Sequence, residues 1–286
     1  MCMMIKNKYI DPLTDFGFKR IFGTYENRKF LISFLNDLLD IEDKIVSIEY
    51  KNLEKLGLNS SDRKTIYDIY CTDEKNNNFI VELQRAKQKY FKDRSIYYTT
   101  FPIQEQSKHG DWDYKLKKVY FVGILDFTFK DGRLKENQKD TKYLTKVELK
   151  DDNNQVFYDK LSYYFLEMPK FKKQDKDLSN HLEMWLYYLT NLEQLAEIPK
   201  VLKTDDLIRE AFDLAEFLAM SKDEQFVYQM DLKTRLDNKN AIDYAEEMGI
   251  KKAKLEVAKN LLQQGIHIKV IIKSTGLTTE EIQSLL

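Results

Sequence analysis

Nine glycines, four prolines, three histidines and two cysteines are spread over 286 residues, and the formal net charge is −1. Each scarcity excludes something. With so few glycines, and neither a G-x-x-x-x-G-K-[ST] loop nor a G-x-G-x-x-G fingerprint, no nucleotide-cradling loop is expected. Cys2 and Cys71 sit at no metal-ligand spacing, which points to a reducing compartment and no disulfide framework. His109, His181 and His267 lie too far apart in sequence to suggest a zinc motif, and no Ser-His-Asp or Cys-His pattern announces itself. No apolar run approaches the ~20 residues of a membrane span, and the opening MCMMIKNKYIDP lacks the apolar core of a leader. The expectation is a cytoplasmic protein with no membrane partner. A charge near zero gives no global attraction to nucleic acid, so any such binding must rest on local basic patches.

What is present is a core-forming composition, 43% apolar and 33% charged, in a chain long enough for one large domain or one domain with an appendage. The most informative stretch is Thr65 to Arg85, TIYDIYCTDEKNNNFIVELQR. Two β-branched and aromatic runs flank the polar segment Asp73–Asn77, a hairpin signal. If the hairpin centres on Lys75, paired positions sum to 150 and Asp68 stands opposite Glu82, with Gln84 on the same face. Two carboxylates about 5 Å apart repel by about 3 kcal/mol at an effective dielectric of ~20. A divalent cation between them reverses that sign. The alternative is a hairpin whose acidic residues mark a solvated face.

Along the chain, Asp11 and Pro12 read as N-cap and first-turn proline of a short helix, Leu13–Phe22, stopped by Gly23. Asp15 on that helix is a dipole partner or a ligand. A core-packed helix is expected from about Glu26 to Asp40 and a strand over Ile45–Tyr50. A polar loop, Asn52–Arg63, precedes the hairpin. After it, Lys87 to His109 reads as a helix ending at Gly110. Its Lys87, Lys89, Lys92 and Arg94 form either a solvated face or a cationic rim for phosphates, with Arg94 best suited to a bidentate contact. Val119–Leu125 should be a central buried strand, parallel to the Glu82 strand after a right-handed crossover. Strand-like runs recur near Lys142–Lys150 and Gln155–Tyr158, and helical patterns dominate from Asn180. In the tail, helices are expected over Ala241–Leu262 and Ile266–Lys273, then a turn at Ser274–Gly276. A last helix to Leu286 opens with a Thr278/Glu281 capping box. These are helix-turn-helix proportions. Glu280 and Glu281 lead the final helix, however, so packing or self-association is favoured over major-groove reading.

An acidic residue on an early helix, an Asp on one strand and Glu-x-Gln on the next, followed by helix and strand, resembles the PD-(D/E)XK nucleases. More narrowly, DFGFKRIF, YDIY, IVELQR, RSIYY from Arg94 to Tyr98, and Gln106 with Gly110 and Tyr114 resemble the Rpn family of recombination-promoting nucleases, often labelled transposases. So do VYFVGILDF and the tail AKNLLQQGIHIKVIIKSTGLTTEEIQSLL. The similarity spans nearly the whole chain, most loosely over residues 140–235.

The resemblance implies an α/β fold: a PD-(D/E)XK restriction-endonuclease-like core, α-β-β-β-α-β with a mixed sheet flanked by helices, and a helical C-terminal region. Residues 1–235 would form the nuclease-like domain and 236–286 an oligomerisation or regulatory tail. The activity implied is metal-dependent endonucleolytic cutting of double-stranded DNA with little sequence specificity, in recombination or mobile-element activity. The cofactor implied is Mg²⁺, with Mn²⁺ as substitute. Asp68 and Glu82 become metal ligands, joined by the backbone carbonyl of Leu83. Gln84 stands where many superfamily members carry lysine, and Asp15 where an accessory carboxylate is common. Lys87, Lys92 and Arg94 are the expected DNA contacts, and the C-terminal helices the expected homo-oligomer interface. The rival class is a non-catalytic DNA-binding or assembly protein with a degenerate site; transposase-like strand transfer ranks third.

Overall fold

The computed structural model describes residues 7–55, 65–107, 113–129 and 141–285. Cys2, His109, Gly110, Leu286 and much of the Asn52–Arg63 loop lie outside the described residues. The chain divides into two compact units, Met1–Tyr228 and Gln229–Leu286.

The first unit opens with α1 (Asp15–Phe22) and α2 (Arg28–Leu38). The N-cap of α1 is Thr14, whose hydroxyl accepts from Gly17 N–H, rather than Asp11 as expected. Asp11 is instead buried and takes the Leu13 N–H on its carboxylate. Gly23 does close the helix, its N–H bonded to the Lys19 carbonyl. Next come β1 (Ile48–Tyr50), a small pair β2 (Glu54–Lys55) and β3 (Thr65–Ile66), then β4 (Ile69–Asp73) and β5 (Asn78–Gln84). A crossover helix, α3 (Phe91–Gln104), leads to β6 (Val119–Leu125), and a hairpin of β7 (Leu144–Lys150) and β8 (Val156–Glu167) follows.

Six strands form one mixed sheet in the order β1-β4-β5-β6-β8-β7. The β4–β5 register pairs Ile69 with Val81, Tyr70 with Ile80, Cys71 with Phe79 and Thr72 with Asn78, the register read from the sequence. As expected, β6 is parallel to β5 and buried on both faces over its whole length. The run near Gln155–Tyr158 is the start of a much longer strand: β8 continues to Glu167 and lies parallel to β6. The α3 face of the sheet holds a cluster of Tyr67, Tyr70, Ile80, Phe121 and Phe165 against Phe91 of α3. Helices α4 (His181–Asn191) and α5 (Asp206–Leu214) join α1 and α2 in an aromatic layer through Phe22, Phe34, Trp185, Tyr188 and Phe212.

Helix α6 begins at Lys222, well before the expected Ala241, and runs to Gln263. In the second unit its last turns pack with α7 (Ile268–Thr275) and α8 (Thr279–Gln283) around Ala258, Ile271, Leu277 and Ile282. Gly276, at φ 69°, caps α7 in the left-handed region that a side chain would strain. The Thr278/Glu281 capping box opens α8, and Lys251 holds Glu281 at 2.7 Å.

Candidate active site

Strand alternation puts Glu82 and Gln84 on the α3 face, where both are buried. Asp68 lies opposite Glu82 by the same register, but just outside β4, at the bend between β3 and β4. There the main-chain ladder gives way to side chains. Leu83 N–H donates to Asp68 Oδ2 at 2.8 Å, and Asp68 N–H donates to Glu82 Oε1 at 3.1 Å. Each carboxylate therefore spends one oxygen on a backbone N–H. The other oxygen of each has no hydrogen-bond partner among the described residues.

Burial pushes the Glu82 carboxyl up to about 8, and the neighbouring Asp68 adds to the effect. Asp68 is raised too, first by burial and further by Asp15, while the Leu83 N–H, Lys19 and Arg94 oppose the shift. Asp15 acts on the pair from α1 without touching it; its side chain is exposed and ion-paired with Lys19 at 2.7 Å. Beside Glu82 in the sheet stands Gly123 of β6, where a Cβ would come within 3.1 Å of the Phe165 ring.

Gln84 is held at both ends of its amide. Its Nε2 donates to the Ala86 carbonyl at 2.8 Å, and its Oε1 accepts from Arg94. Arg94 also donates to Gln88 Oε1 at 2.6 Å and lies over the rings of Phe91 and Tyr98. Its Nε is buried without a hydrogen-bond partner among the described residues. The structure thus brings Asp68, Glu82, Gln84 and Arg94 together, with Asp15 near. It places Lys87 on the exposed segment before α3, and Lys92 with its ammonium over Phe129 at 4.7 Å. Arg85 is on the opposite face, as alternation requires, where it binds Asp11, the Leu13 carbonyl and Asp126. Sequence reasoning missed Lys19, although its i,i+4 spacing from Asp15 was a usable signal. Nothing in the sequence marked Gln88.

The donor set fits a divalent cation of the magnesium class. Such an ion takes one or two carboxylates and keeps several waters. Asp68 and Glu82 offer hard, adjacent oxygens with capacity to spare. In a strand, the N–H and C=O of a residue project from the same edge. The Leu83 carbonyl therefore faces the Asp68 side, where its N–H is bound. No group of three or more His, Cys, Asp or Glu side chains is placed to hold a metal among the described residues.

The chain matches two family models. One, described as PD-(D/E)XK nuclease family transposase, covers residues 12–245. The other, described as the C-terminal HTH domain of the Rpn/YhgA-like nuclease family, covers residues 251–286. No curated protein and no solved structure matches the chain. Among the described residues no helix is long and apolar enough to cross a membrane.

Proposed function

The chain belongs to the PD-(D/E)XK nuclease family transposases, and from that premise we propose that it is a magnesium-dependent endonuclease that cuts double-stranded DNA in the cytoplasm with little sequence preference. Its role is nuclease- or transposase-like, and the reading extends this to recombination or mobile-element activity. The observation that carries the proposal is the Asp68–Glu82 pair: a half-buried and a buried carboxylate, one accepting from Leu83 N–H and the other from Asp68 N–H, with no cationic side chain bonded to either among the described residues. Asp68, Glu82 and the Leu83 carbonyl would hold the cation, with Mn²⁺ able to replace Mg²⁺. Bound there, the ion supplies Lewis acidity toward the phosphate and lowers the pKa of water.

The rest is work for the chain's own groups. Gln84 is a neutral amide and brings no charge of its own; it fixes the Arg94 guanidinium beside the pair. Arg94 then offers a planar donor fork to a phosphate and opposes its negative charge. Asp15 adds negative field from α1, and Lys87 and Lys92 flank the approach to the strand. Residues 236–286 are assigned a separate role, joining copies so that two single-strand cuts coincide. Truncation after Asn240 should change both the mass in solution and the cleavage pattern.

The decisive test is plasmid nicking by purified protein with Mg²⁺ and with EDTA, beside Asp68→Ala. Cutting that needs Mg²⁺ and falls at least about 10³-fold in the variant supports the reading. DNA binding without cutting, unchanged by Glu82→Gln, favours a non-catalytic binding protein. That alternative draws on one observation: each carboxylate already accepts a backbone N–H and so helps to close the bend at Asp68.

A further inference from the structure

A polar cavity of about 310 Å³ opens at the far end of the same hairpin. Strand rise puts Asn78, on its wall, about 13 Å from Glu82. Tyr70 and Thr72 of β4 and Asn78 of β5 share the α3 face with Glu82, so the cavity and the carboxylate pair lie on one side of the sheet. Nothing in the nuclease reading uses it.

Its lining is unlike that of an apolar ligand pocket. Lys51 and Lys117 bring two positive charges and Glu105 one negative, a surplus of one. Lys51 lies 3.3 Å from the exposed Glu49; Lys117 has no side-chain partner among the described residues. The floor is built: Tyr70 Oη lies 2.9 Å from Asn78 Oδ1 and 3.1 Å from Glu105 Oε2, and its single proton can serve only one at a time. Lys117 N–H is held by Gln106 Oε1 at 2.6 Å, and Lys51 N–H by the Tyr70 carbonyl at 2.8 Å. Above this fixed floor, Asn52 Nδ2 and both ends of the Asn76 side-chain amide have no hydrogen-bond partner among the described residues.

We propose that this cavity binds one nucleotide unit of a nucleic-acid strand, with Lys51 and Lys117 on its phosphodiester and the Asn76 amide on the base edge. The one ammonium without a side-chain partner among the described residues, that of Lys117, matches a phosphodiester, which carries one negative charge, better than a terminal phosphate, which carries ~1.5–2. A side-chain amide offers the paired donor and acceptor that read a base edge. The proposal rests on the nuclease reading for the source of the strand, which would reach this cavity over the outer surface, because Tyr70 and Ile80 are packed under α3 between the two sites. A free dinucleotide carries the same chemistry and is the other source to be tested.

The test measures binding of labelled ten-nucleotide oligomers by the full chain in EDTA, across a salt series. Replacing both lysines (Lys51→Ala with Lys117→Ala) should weaken binding by about tenfold and flatten the log Kd–log salt slope by about 1 to 2. Glu105→Gln should tighten binding, a direction that misfolding does not produce. Asn76 has φ 61°, so Asn76→Gly removes the amide while keeping a permitted backbone, and should reduce differences between base compositions. A dinucleotide should compete only at roughly 100-fold higher concentration, as expected for a ligand with fewer phosphate contacts; competition at equal concentration would overturn assignment to a strand. Unchanged affinity and slope in the double variant of a protein that cuts DNA would overturn the cavity alone. A wild-type chain that binds no oligomer would overturn the nuclease reading with it.

Discussion

Among the described residues three glutamates are buried almost completely, and they are treated in opposite ways. Glu183 on α4 accepts from Lys173 Nζ at 2.6 Å, from Ser179 N–H and Oγ at 2.8 and 2.9 Å, and from Tyr143 Oη at 3.2 Å. Burial alone would raise its pKa, but the Lys173 ammonium and the Ser179 donors outweigh it and the carboxyl is lowered. Glu167 at the end of β8 is likewise answered, by Lys170 Nζ and Phe129 N–H, each at 2.6 Å. Glu82, hardly more exposed, receives one backbone N–H and faces another carboxylate. A buried carboxylate that a fold needs for its own stability is paired, because an unpaired one costs several kcal/mol. The contrast marks the β5 pair as a place where stability has been given up, which is where function is sought.

Breaking the satisfied side should have the largest effect on folding. Glu183→Ala leaves the Ser179 and Tyr143 groups without their acceptor and should lower unfolding free energy by about 2–4 kcal/mol in urea titrations. A divalent cation at about 100 times its Kd should stabilise the wild-type chain by about 2.7 kcal/mol, read as a rise in melting temperature, and should do nothing for Asp68→Asn. Glu82→Gln removes the unanswered charge, so the metal-free protein should gain about 1 kcal/mol at pH 9, the reverse of Glu183→Ala, while losing the cation response.

The smallest effect concerns His181, an imidazole set between two carboxylates. Its Nδ1 lies 2.5 Å from Asp37 and its Nε2 3.1 Å from Asp205. The hydrogen bond to Asp37 leads in raising its pKa, with Asp205 adding. A raised folded pKa means stabilisation that is complete below the ordinary value near 6.5 and is lost as pH rises through the folded value. With about a third of the side chain exposed, the loss should be at most ~1 kcal/mol. It should appear as a wild-type midpoint that falls from pH 6 to pH 9 relative to that of His181→Asn.

Much of this was legible in the sequence because strand alternation is a strict rule. One assumption, a hairpin centred on Lys75, gave the β4–β5 register and the face of Gln84. Seven apolar residues in a row gave the buried parallel strand β6. What failed was local propensity overruled by tertiary partners. Asp11 reads as an N-cap, but Arg85, the residue after β5, and the Tyr228 hydroxyl claim its carboxylate and its N–H, and Thr14 caps in its place. The length of β8 was hidden because Ser162 and the tyrosines before and after it blur the alternation. The Gln84–Arg94 bond joins a strand to a helix that starts several residues later, and no pattern within either segment encodes it.

Gly123 has one more consequence. Strand pairing sets it next to Glu82 on one side and Phe165 on the other, all on one face. Alanine there would have to displace the Phe165 ring by a few tenths of an ångström. The seat of the glutamate is therefore built to a tolerance finer than one methyl group, and the part that sets the tolerance is a residue with no side chain.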